Sequence, residues 1–118
     1  MKKTIGILFA SVAAIAALAV PTLGAGAAQT VRVSEVDGRI SLAARPKGGT
    51  VRFVVRNAGD DAHDFWLRGD GKRWKTRVLI AGKAATLTVT RKRGVRYSFW
   101  CGVSDHAEEG MRGSFLAR

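Results

Sequence analysis

In the stretch TVRFVVRN (50–57), Val51, Phe53 and Val55 share one face, with Arg52, Val54 and Arg56 on the other. That is a period of two, which a half-buried strand produces and a helix does not. The pattern recurs along the chain. Val31 and Val33 alternate with Arg32 and Ser34, and an Asp37-Gly38 turn leads to Ile40 and Leu42. In HDFWLRG, His63, Phe65 and Leu67 oppose Asp64, Trp66 and Arg68. Ala81-Gly82 separates VLI from AATLTVT, and GVRYSFWC puts Val95, Tyr97, Phe99 and Cys101 on one side. MRGSFLA supplies a closing strand. Gly, Asp and Asn clusters punctuate these runs, and no stretch keeps a helical period. The expectation is an all-β chain: a Greek-key β-sandwich or barrel of seven or eight short strands.

Residues 1–28 read differently. Lys2 and Lys3 precede an apolar run from Ile5 to Val20, then Pro21 and a cluster of small residues in which Ala25-Gly26-Ala27 fits an A-x-A cleavage site. This is the pattern of a secretory signal peptide, and the run falls short of the ~18–20 apolar residues that a membrane span needs. The expectation is one exported domain over 29–118, periplasmic or otherwise extracytoplasmic, with no stable membrane insertion after cleavage. With Lys2 and Lys3 set aside from the 20 basic residues, the 9 acidic ones leave the domain at +9. Its arginines are spread through strand-like runs and not gathered on one element. That suits solubility and steering of an acidic partner, and argues against nucleic-acid binding.

The chain has 1 cysteine and 2 histidines. One cysteine cannot form an internal disulfide, so an exported thiol needs another reason to persist. Cys101, His106 and Met111 follow one another as Cys-x4-His-x4-Met, and the other histidine, His63, opens an inward-facing strand. The alternation places His63 in the layer of Phe65 and Leu67, and Cys101 in the layer of Tyr97 and Phe99. Both therefore point into the core. A buried imidazole without a partner costs about 1–3 kcal/mol, so a neighbouring thiol or a shared metal is expected. Two imidazoles, a thiolate and a weak thioether form the donor set of a blue-copper site.

On these residues the chain resembles the small bacterial cupredoxins of the plastocyanin–azurin group. The likeness covers nearly the whole of 29–118, through VRFVVRNAG, HDFWL, LIAGKAATLTV and GVRYSFWCGVSDHAEEGMRGSFLA. It implies one type 1 copper ion, with His63, Cys101 and His106 as equatorial ligands and Met111 as the long axial one. It further implies shuttling of single electrons between redox partner proteins, with acidic docking surfaces suiting a basic chain, by a monomer that is not an enzyme. Two positions depart from the family pattern. Asp64 stands where relatives often carry Asn, adding a negative charge that favours Cu(II). Ser104-Asp105 stands where relatives often carry Pro-Gly; Asp tolerates the positive φ such a turn needs.

Enzyme readings fail on inventory. A multicopper oxidase needs more histidines, a binuclear copper centre needs a second cysteine, and no cleft for a cysteine hydrolase is evident. Two other readings stay open: a periplasmic copper carrier or resistance protein, and an exported structural module with an incidental thiol.

Overall fold

The structure is a computed structural model that describes residues 27–118 together with Gly6. The segment read as a signal peptide lies almost wholly outside the described residues. No helix among these residues is long and apolar enough to cross a membrane.

Eight strands form in chain order: β1 (Gln29–Val36), β2 (Arg39–Leu42), β3 (Gly49–Asn57), β4 (Trp66–Gly69), β5 (Lys72–Lys75), β6 (Ala84–Arg91), β7 (Arg96–Trp100) and β8 (Arg112–Leu116). They assemble into two four-stranded sheets, ordered β2-β1-β3-β6 and β5-β4-β7-β8. Every named pairing is antiparallel except β1 with β3, which runs parallel with Val31 opposite Phe53 and Val33 opposite Val55. A parallel pair needs a crossover. Here β2 and the loop after it carry the chain back to the start of β3.

The inner faces are those that the alternation marks. Val31, Val33, Val51, Phe53 and Val55 from one sheet meet Leu67, Tyr97, Phe99 and Phe115 from the other, all buried. Aromatic rings fill the space between sheets, with Phe53 and Phe65 centroids 5.7 Å apart and Tyr97 and Phe115 stacked at 5.6 Å. These separations lie in the range of favourable ring pairs. Buried Arg91, at the end of β6, lays its guanidinium over Phe53 and Phe115 at 5.7 and 5.6 Å.

One local expectation needs correction, and one strand escapes the alternation. The VLI segment is not a strand: only Leu79 pairs, through an isolated bridge to His63, while Val78 and Ile80 are exposed. The strand in this region is β5, KRWK, whose Lys72, Arg73 and Lys75 mask its alternation. Charged side chains suit it because β5 lies at a sheet edge, where they discourage pairing with other chains.

Candidate metal centre

Three of the four expected ligands come together at one end of the sandwich. His63 lies just before β4, outside any regular strand, and is held by the backbone: its N–H donates to Leu79 O at 3.0 Å, and Leu79 N–H donates to His63 O at 2.7 Å. Asn57, fully buried, sets this loop by donating from Nδ2 to Asp61 O at 2.7 Å and to Leu79 O at 2.8 Å. Cys101 directly follows β7, so the strand's pleat aims its side chain inward, fully buried. His106, half-buried, sits in the turn between β7 and β8.

His63 Nδ1 lies 3.8 Å from Cys101 Sγ, His106 Nδ1 lies 3.7 Å from the same sulfur, and the two Nδ1 atoms are 3.2 Å apart. The point equidistant from all three is about 2.1 Å from each, within the ~2.0–2.3 Å at which imidazole nitrogen and thiolate sulfur bind a divalent metal. Both rings present Nδ1 to this point, and among the described residues no acidic side chain joins the three in the cluster. Soft sulfur with two imidazoles is a donor set that copper and zinc both accept.

Met111 is fully buried and its backbone is fixed to both neighbours. Its N–H donates to His106 O at 3.0 Å, and its carbonyl accepts from Cys101 N–H at 3.0 Å. The Cys101–Met111 loop is thus closed on itself by main-chain bonds. Gly110 has φ +115°, open only to glycine, and a Cβ there would approach Gly38 O to 2.9 Å. The other positive φ in this loop falls on Ser104, at 48°, and not on Asp105.

Asp64 and Asp37 brace the site from two sides. Asp64, buried, accepts from Gly102 N–H at 2.6 Å and from Trp66 Nε1 at 2.9 Å, tying the loop after Cys101 to the strand after His63. Asp37, at the tip of the β1–β2 turn, accepts from His63 Nε2 at 2.8 Å. In a neutral imidazole that arrangement puts the lone pair on Nδ1, the nitrogen that faces the cluster. The sequence marks Asp64 by its place after His63 but shows Asp37 only as a turn residue, because its partner is 26 residues away in a different loop.

Burial pushes the Cys101 thiol pKa up, while backbone N–H groups of Asp64 and Val103 pull the other way. Glu35, fully buried on the inner face of β1, has no hydrogen-bond partner among the described residues. Desolvation, with a contribution from the Asp64 charge, pushes its pKa up to about 8. It is therefore a neutral acid near pH 7.

No family model and no curated protein matches the sequence. Solved structures do match the fold. A dithionite-reduced auracyanin from the photosynthetic bacterium Roseiflexus castenholzii superposes with TM-score 0.64 at 17% identity, over 79% of this chain and 99% of its own. Auracyanin B gives TM-score 0.66 at 19% identity, over 77% and 89%. A multicopper oxidase gives 0.59 at 14% identity, over 76% of this chain and 44% of its own. The eight-stranded, two-sheet architecture is that of the cupredoxins.

Proposed function

We propose that this protein is an exported mononuclear type 1 copper protein that carries single electrons between redox partners. The observation that supports this most is the triangle of His63 Nδ1, His106 Nδ1 and Cys101 Sγ, with fully buried Met111 tied by its backbone to Cys101 and His106. His63, Cys101 and His106 would hold the ion, and Met111 would supply a weak thioether sulfur. Bound copper supplies a one-electron couple between its two oxidation states.

The chain's own part is to hold one geometry for both states. Cys101 and His63 are fully buried, which excludes water and keeps the donor positions packed. The backbone bonds among Cys101, His106 and Met111, together with the Asp64 brace, keep the donors in place whether or not charge changes between them. His106 is the least buried of the four, and its outer ring edge is the point at which a partner reaches the centre. A basic surface favours partners with acidic docking surfaces.

A copper carrier must load and unload its ion, which favours open sites; closure around Cys101, His63 and Met111 supports the electron-transfer reading instead. Voltammetry of the copper-loaded protein distinguishes the two. A reversible one-electron couple with fast self-exchange is expected. A protein that holds copper in one oxidation state only, with no reversible couple, contradicts this function.

A further inference from the structure

The β1–β2 turn is built around a carboxylate. Asp37 Oδ1 accepts from His63 Nε2 at 2.8 Å and from Asp61 N–H at 3.2 Å, and Oδ2 accepts from Asp60 N–H at 3.2 Å. Those two backbone donors belong to the loop that leads into His63. Space for the carboxylate is made by Gly59, where a Cβ would collide with Asp37 Oδ1. The same turn is wedged against the ligand loop from the other side, through the close approach of Gly38 O to Gly110. A turn tip whose side chain is 42% exposed has no need of three donors for its own stability. All three point one way, toward fixing an anion behind the fully buried His63 ring.

A histidine that binds a metal through one nitrogen commonly donates its other N–H to a carboxylate or a carbonyl, and the choice matters. A neutral carbonyl orients the ring and raises its basicity modestly. A carboxylate in addition places negative charge on the far side of the imidazole, making the metal-binding nitrogen more basic. That charge favours the more positive oxidation state of whatever couple the site holds. Resting on the copper reading above, we infer that Asp37 is a positioning residue of the centre, which locks His63 as the Nε2–H tautomer and selectively stabilises bound Cu(II) over Cu(I).

The test is Asp37→Asn in the full-length protein. The variant keeps an oxygen to accept the His63 and Asp61 N–H groups, and removes the charge. Cu(II) and Cu(I) affinities are measured separately by competition with chelators, and the potential by voltammetry. The expectation is a 10- to 100-fold loss of Cu(II) affinity, with Cu(I) affinity changed far less. For one electron, each tenfold difference between the two losses raises the potential by about 59 mV. Equal losses for both oxidation states, with an unshifted potential, would mean that Asp37 only shapes the turn, and overturn the inference.

A second measurement needs no variant. In the Cu(I) protein, the His63 Nε2 proton is expected to be visible by NMR and protected from exchange. A rapidly exchanging Nε2 proton overturns the inference even if Asp37→Asn does not fold. Wild-type protein that takes up no copper defeats both this inference and the proposed function. A blue wild type with an unshifted variant defeats this inference alone.

Discussion

Asp64 Oδ1 accepts a 2.6 Å hydrogen bond from the Gly102 N–H, joining the residue after His63 to the residue after Cys101. Neither partner is a metal donor, yet the bond ties together the segments that carry His63 and Cys101. The other oxygen of Asp64 accepts from Trp66 Nε1 at 2.9 Å, and Trp66 in turn stacks on Trp100 at 5.8 Å. One carboxylate therefore satisfies a loop amide and an indole together.

Replacing Asp64 separates these roles. Asp64→Ala strips an acceptor from both donors, and with Gly102 exposed and Trp66 half-buried each lost bond should cost about 0.5–1.5 kcal/mol. Asp64→Asn keeps the oxygen facing Gly102 but turns an amide donor toward Trp66, so it should lose roughly half as much. Urea unfolding of the metal-free proteins checks this order. Equal stabilities for the two variants would show that the Gly102 bond contributes nothing.

Glu35 makes stability fall with pH. Its folded pKa of about 8 lies above the unfolded 4.5, so between those values the folded state holds a proton that the unfolded state has released. Stability is full below about pH 4.5 and declines as pH rises toward 8, by on the order of a few kcal/mol. Glu35→Gln should flatten that decline. Unfolding free energies at pH 5 and pH 9 measure it, and an unchanged slope in the variant contradicts the assignment.

Metal affinity runs the opposite way. Burial raises the Cys101 pKa, so the metal-free protein carries a thiol that must lose its proton on binding. Affinity for Zn(II) or copper should rise about tenfold per pH unit below the thiol pKa. Calorimetry in buffers of different ionisation enthalpy should register the released proton. Affinity independent of pH between 6 and 8 contradicts a buried neutral thiol.

Gly110→Ala tests the turn that presents Met111. The residue would have to adopt φ +115° and place a methyl 2.9 Å from a backbone oxygen that cannot swing away. A cost of about 1–3 kcal/mol is expected, with weakened copper binding because Met111 follows directly. Thermal unfolding and copper titration report the two effects, and a variant unaltered in both shows that the loop is looser than described.

The sequence makes the layers legible because strand alternation is strict where it is half-buried. Tyr97, Phe99 and Cys101 are buried on one parity, so the inward aim of Cys101 follows from the alternation of β7. His63 instead lies before β4 in a run whose neighbours Asp64 and Phe65 are also buried, and its isolated bridge to Leu79 sets its place beside Cys101. Strand β5 escapes that logic because charged residues occupy both faces of an edge strand. The VLI segment misleads in the opposite direction: Val78 and Ile80 look like strand interior but face solvent, and Leu79 alone anchors the loop. Asp37 and Asn57 are invisible as site residues because nothing local ties them to the donor cluster. Each acts across a turn on a partner that only the tertiary fold brings near.

The most direct test of the copper centre is the visible absorption spectrum recorded as Cu(II) is added. An intense blue band that saturates at one copper per chain, bleaches with ascorbate and is absent from Cys101→Ala is the expected result. A protein that stays colourless with Cu(II) contradicts it, because His63, Cys101 and His106 would then not be holding the ion together.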